Sequence, residues 1–375
     1  MRSFIPLVNP QFGAVEKKLV NRCLDSGWIS SIGIYVEKFA ALVTQTVKVK
    51  YALATDHGTS ALHLALLALG IGSGDEVIVP ALTFVATANA IAYTGAKPVF
   101  VDIDPDTFNL DLTKAEAAIT SKTKAILSVD LYGNPVDYDA ARSICRRHQL
   151  FFVSDSAESM GAIYKGQPIG GLADISIFSF YGNKTITTGE GGMLMTNSKK
   201  IYLTARMYRD EGKNIHEHGY YHEVIGHNYA MTNLQAAVGI GQLKCLKTLV
   251  RQKRLIGTRY RQQLKDISGL SFQTETAGAQ SNNWLFCLLV DKKKFGHSRD
   301  ELMKLLAKKG IETRPFFFPI PLLPPYKKAN QGKGFPMTTK IASQGINLPT
   351  FASLTVKEIS YICQSIASAQ KSSNG

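Results

Sequence analysis

Between residues 50 and 200, short apolar runs alternate with helix-like segments. Residues 51–54, 76–79, 98–101, 125–129, 150–153, 175–178 and 192–195 read as strands. Helical patterns over 60–69, 85–93, 112–119 and 138–148 lie between the first five of them, and Gly70 stops the first helix. Strands spaced by single helices require crossover connections, which predicts a mostly parallel sheet covered on both faces. Ligands of such sheets sit beyond the carboxyl ends of the strands. The informative residues are therefore the polar ones that follow each apolar run.

After about residue 245 the texture changes. A long helical period covers 233–264, followed by a strand over 285–290, a helix over 299–308 and a last amphipathic helix over 354–369. A proline- and aromatic-rich loop spans 315–325. This predicts a large α/β domain over 1–245, its first residues packing on the second unit, and a smaller α+β domain over 246–375.

Composition narrows the function. With 375 residues, 45% hydrophobic and 19% charged, the chain suits a well-packed enzyme of two domains. The apolar runs are too short to cross a bilayer. The start, with Phe4, Ile5, Leu7 and Val8 broken by Pro6, is too short and interrupted for a signal peptide. A cytoplasmic, soluble protein with no membrane partner is expected. The 5 cysteines are scattered without a CxxC pair, so neither a disulfide framework nor a metal site is expected. The net charge of +14 is concentrated over 244–309, in helix-like stretches that read as solvated faces. No nucleic-acid-binding signature accompanies it, so no nucleic-acid partner is expected. Attraction for a phosphorylated ligand fits the charge equally well.

Three stretches carry candidate chemistry. In Asp56-His-Gly58-Thr59-Ser60, where a strand turns into a helix, glycine permits close backbone approach and the hydroxyls and amides can seat a phosphate. Taken alone, it reads first as an ordinary N-cap. In Val153-Ser-Asp155-Ser-Ala-Glu158, a carboxylate stands at the ligand edge of the sheet, suited to a protonated pyridine nitrogen or to helix capping. In Phe178-Ser179-Phe-Tyr-Gly-Asn-Lys184-Thr-Ile-Thr-Thr-Gly189-Glu-Gly191-Gly192, one lysine lies between a buried strand and a glycine-rich turn. A lone lysine is usually a surface residue, but this placement suits an imine-forming amine in a dry pocket. Phe84 offers a flat apolar partner for a ring. Together these residues make the set that pyridoxal 5'-phosphate (PLP) needs: phosphate donors, a carboxylate, an amine and an aromatic wall.

These segments resemble the DegT/DnrJ/EryC1/StrS sugar aminotransferases, from Ser26-Gly-Trp28-Ile-Ser-Ser to Gly345-Ile-Asn-Leu-Pro349. The resemblance implies the PLP-dependent transferase fold type I of aspartate aminotransferase. It implies Lys184 as the Schiff-base lysine and proton carrier, Asp155 at the pyridinium nitrogen and Glu158 near the ring hydroxyl. Phe84 would cover a ring face, and Thr59, Ser60 and Ser179, beside Gly58, would hold the phosphate. Asn228 would reach the phosphate of a neighbouring subunit's cofactor, which implies a homodimer with shared sites. Arg314-Pro-Phe-Phe-Phe-Pro and Pro324-Pro-Tyr326 are most similar to the branch that converts GDP-4-keto-6-deoxymannose to GDP-perosamine. The implied partners are a nucleotide-diphosphate keto sugar and L-glutamate, which leaves as 2-oxoglutarate. Trp28, Ser30, Ser31, His222 and Arg314 are candidates for the sugar nucleotide. Two positions depart from the family pattern: Ala230 replaces an arginine and Pro321 a histidine. Amination of a UDP- or dTDP-keto sugar, and a non-catalytic binding protein of the same fold, are the alternatives.

Overall fold

The computed structural model describes residues 4–214 and 220–370. Seven strands form the main sheet: β1 (Tyr51–Thr55), β2 (Glu76–Pro80), β3 (Lys97–Val101), β4 (Thr123–Val129), β5 (Phe151–Asp155), β6 (Ile175–Ser179) and β7 (Gly192–Thr196). Their order is β1-β7-β6-β5-β4-β2-β3. β7 runs antiparallel to both neighbours, and the remaining pairs are parallel. The helices Gly58–Ala68, Ala86–Tyr93 and Tyr138–Arg147 supply crossovers between parallel strands. Between β6 and β7 there is only a loop, so the chain turns back and β7 pairs antiparallel to β6.

Residues alternate between the two faces with a period of two. Leu53, Val77, Leu127, Val153, Ile177 and Leu194 enter one core, while Ala54, Ile78, Ile126, Phe152, Phe178 and Met193 enter the other. Burial on both sides explains why these strands read as continuous apolar runs.

A second sheet contains β8 (Leu270–Phe272), β9 (Phe286–Val290), β10 (Arg314–Pro315) and β11 (Gly345–Leu348), in the antiparallel order β8-β9-β11-β10. Helices Arg299–Lys308 and Val356–Ala367 bury Leu302, Leu306, Ile359 and Ile362 against it. The long helix Asn233–Leu264 runs unbroken through position 245. It starts at a Thr232/Gln235 capping box and ends by giving Ile256, Tyr260 and Leu264 to the second core. At the other end of the chain, Ile5 bridges to Ile311 and joins that same core, whereas Leu7 enters the first. Among the described residues, no helix is long and apolar enough to cross a membrane.

Candidate active site

The carboxyl ends of β1, β2, β5 and β6 open onto one cavity of about 490 Å³. Gly58, Thr59, Phe84, Asp155, Glu158, Ser179, Lys184 and Arg314 all line it. Residues as far apart in the chain as Gly58 and Arg314 thus meet because each ends, follows or begins a strand of one of the two sheets.

Lys184 stands in the turn after β6, where its backbone N–H donates to Tyr181 O at 2.9 Å. Its side chain is 13% exposed, and Nζ lies 3.6 Å from Glu158 Oε1 and 4.0 Å from the centre of the Trp284 ring. Burial lowers its pKa below the usual lysine range, opposed by the charges of Glu158 and Asp155. The amine is therefore easier to deprotonate than a surface lysine. Glu158 is buried and accepts a hydrogen bond from Tyr132 N at 2.6 Å. Burial pushes its carboxyl up to about 7, against the pull of Lys184. Tyr132 donates from a left-handed backbone conformation, φ 58°.

Asp155 ends β5 and is also buried. Thr87 Oγ1 donates to its Oδ2 at 2.8 Å, and Ala157 N donates to Oδ1 at 3.2 Å. Burial raises its pKa, because both hydrogen bonds come from neutral donors and Lys184 helps less than they do. A cationic ring nitrogen would stabilise this carboxylate. The helix Gly58–Ala68 begins at the cavity without a side-chain cap, leaving its first-turn N–H groups beside the hydroxyls of Thr59 and Ser60. A Cβ on Gly58 would lie 2.9 Å from Ser179 Cβ, so glycine is what lets these two segments meet. Phe84 is 55% exposed on the wall, 5.7 Å from the Phe317 ring. An amine, a buried carboxylate, an aromatic wall and a helix-start anion seat within one cavity fit PLP.

The DegT/DnrJ/EryC1/StrS aminotransferase family model matches residues 10–367. The chain belongs to this family. It is 44% identical over 363 residues to the GDP-perosamine synthase of Escherichia coli O157:H7, covering 97% of this chain and 98% of that one. To the GDP-perosamine synthase of Vibrio cholerae it is 39% identical, covering 96% and 98%. Among solved structures, S. venezuelae DesV superposes with a TM-score of 0.93 at 31% identity, covering 99% of this chain and 100% of DesV. A Streptococcus pneumoniae sugar aminotransferase, Spr1654, solved in a PMP form, gives 0.91 at 30%, covering 98% and 97%. The chain is thus an enzyme, a PLP-dependent sugar aminotransferase of the fold type expected.

Not every candidate of this aminotransferase lies in the Lys184 cavity. Ser60 is buried within the first turn of its helix. Asn228 lines a separate, open cavity of about 990 Å³, with Ser31, Arg206, Arg209 and Ala230. Trp28 is 58% exposed, and the carbonyls of Trp28 and Ser30 receive hydrogen bonds from Asn233 at 2.6 and 2.7 Å. They thereby tie the 28–31 segment to the start of the long helix. His222 is exposed, with Nδ1 2.8 Å from Glu211 O. Of the two departures from the family pattern, Ala230 bridges to Thr55 at the end of β1. Pro321 is buried in the short turn Ile320–Leu322 and lines neither cavity.

Three residues around the aminotransferase site escaped the sequence reading: Thr87, Tyr132 and Trp284. Tyr132 follows the apolar run of β4, so attention to polar positions after that strand would have found it. Thr87 and Trp284 carried no comparable local signal.

Proposed function

We propose that this aminotransferase converts GDP-4-keto-6-deoxymannose to GDP-perosamine, taking its amino group from L-glutamate and releasing 2-oxoglutarate. The observation that carries this reading is a buried amine beside a buried acid, Lys184 and Glu158 at 3.6 Å, in a chain 44% identical to a GDP-perosamine synthase. The similarity to three GDP-perosamine synthases, at 39–44% identity over nearly the whole chain, favours this sugar over UDP- and dTDP-linked ones.

In this reading Lys184, Asp155, Phe84, Ser179 and the Gly58–Thr59–Ser60 helix start hold the cofactor. Bound there, PLP supplies the electron sink that lets the amino-bearing carbon lose its proton. Lys184 carries out the proton transfer: its lowered pKa lets Nζ take the proton from the donor carbon and return it on the other side of the reaction. Asp155 stays ionised and keeps the ring nitrogen protonated. Glu158, fixed by Tyr132 N, orients the Lys184 amine. Trp284, its ring 4.0 Å from Nζ, shields that amine from water. Arg314, on the cavity rim, attracts the diphosphate.

Asn228, in the separate cavity, serves the site of a second subunit, so the enzyme works as a homodimer in the cytoplasm. Ser31 in that cavity, and Trp28, Ser30 and His222 near it, contact the nucleotide from the same side. Its product feeds a surface polysaccharide such as an O-antigen. The deciding experiment is mass analysis of the product formed from L-glutamate and GDP-4-keto-6-deoxymannose, beside UDP- and dTDP-linked 4-keto sugars. A GDP-amino sugar formed fastest from the GDP substrate is expected. Faster turnover of a UDP or dTDP sugar overturns the assignment.

A further inference from the structure

Helix Asn233–Leu264 buries the stripe Leu246, Val250, Lys253, Gly257, Tyr260 and Leu264. The spacing of three and four is that of an apolar core face, and a lysine there carries a desolvation cost that a methionine would not. Among the described residues, no carboxylate pulls on Lys253, and burial alone draws its amine down to about 7. Its Nζ donates instead to two backbone carbonyls, Trp284 O at 3.1 Å and Thr350 O at 2.5 Å.

Two further contacts from the same helix turn reach the same loop. Arg254 Nε donates to Ser281 O at 2.8 Å. Gly257 leaves room for Asn283, since a Cβ there would meet Asn283 Oδ1 at 2.9 Å, and Asn283 is itself left-handed at φ 49°. On its other side, loop 281–284 grips the segments that carry the amine and the acid. Asn282 Nδ2 donates to Glu158 O at 2.8 Å and to Thr185 Oγ1 at 3.3 Å. Trp284 Nε1 donates to Asn183 O at 2.8 Å, and its ring sits 4.0 Å from Lys184 Nζ.

We propose that Lys253 is a positioning residue for the Lys184 amine: by holding the Trp284 carbonyl, it fixes the loop whose indole and Asn282 amide set the Lys184 turn. The proposal rests on the reading of Lys184 as the reacting amine. A small chamber of about 30 Å³, lined by both lysines with Asn183, Thr185 and Thr187, separates them. Lys253 therefore acts through the loop.

The chain has 2 tryptophans, so Trp28→Phe leaves Trp284 as the sole tryptophan, and excitation at the red edge of the indole band reads it apart from the 15 tyrosines. In that holoenzyme, Lys253→Met is expected to raise acrylamide quenching of Trp284 about threefold and to lower kcat about tenfold, with KM for both substrates within about twofold. Lys253→Arg, whose added atoms the neighbouring chamber accommodates, is expected to recover quenching and kcat to within about threefold of the background. A Lys253→Met enzyme that melts earlier but keeps the background quenching and kcat overturns the proposal. Should Lys253→Met fail to fold, the same readings on Lys253→Gln decide in its place. Turnover by Lys184→Ala would remove the reading of the amine, while the quenching comparison would still decide whether Lys253 holds Trp284.

Discussion

Glu158 Oε1 and Lys184 Nζ lie 3.6 Å apart inside the cavity, with their side chains 4% and 13% exposed. Each group alone would be driven towards its neutral form by burial; each favours the charge of the other. The pair is poised so that a modest change at one group moves a proton on the other, which suits the proton-carrying role proposed for Lys184.

This poise has a consequence for stability. The folded-state pKa of Glu158 is raised from 4.5 to about 7. Between those values the unfolded chain has already released the proton that the folded chain still holds, so its contribution to stability falls as pH rises through that window. Thermal melts of the cofactor-free chain and of Glu158→Gln from pH 4.5 to 7 should show the parent losing stability relative to the variant. A constant difference across the window would mean that Glu158 is not an acid of raised pKa.

Thr87→Val removes the hydroxyl that donates to Asp155 Oδ2 while keeping the side-chain shape. The loss of one hydrogen bond to a buried charged group is about 1.5–3 kcal/mol, so cofactor affinity should fall roughly 10- to 150-fold. Titration of the cofactor-free enzyme with PLP, followed by absorbance, measures it. Unchanged affinity would show that Asp155 is held ionised by something else.

The parallel strands were legible because burial on both faces writes them as unbroken apolar runs, and the residues just after those runs led to Gly58, Asp155, Ser179 and Lys184. The reversal at β7 was not legible, because a strand does not encode its direction; the short loop from β6 does. Trp284 and Thr87 were hidden for a different reason. Trp284 meets Asn183 across 101 positions, and Thr87 meets Asp155 across 68. Only the closed fold brings such contacts together, and neither residue sits in a local pattern that demands it. Asn228 was found by resemblance alone, and the single chain leaves it in another cavity.

Gly58→Ala places a methyl group 2.9 Å from Ser179 Cβ and 3.4 Å from Ser179 Cα. The backbone at Ser179 is the end of a central strand and cannot yield freely, so the helix start must move outward. PLP affinity should drop about tenfold or more, and the cofactor-free chain should lose about 1–3 kcal/mol of stability to the overpacking. Unchanged PLP affinity beside that loss of stability would place the effect in packing and not in the phosphate seat.

The shared-site reading of Asn228 can be tested by mixing two inactive chains. Lys184→Ala lacks the amine, and Asn228→Asp puts a negative charge where a phosphate of the other subunit is to be held. Each homodimer should be nearly inactive. In a heterodimer, one of the two sites would combine the intact Lys184 of one chain with the intact Asn228 of the other, and the second site would carry both lesions. An equal mixture, unfolded and refolded together, forms heterodimers as about half its dimers, so activity should return to about one quarter of the parent value. The homodimers mixed without refolding serve as the control. If Asn228 acted within its own chain, every site of the heterodimer would keep one lesion, and co-refolding would restore nothing.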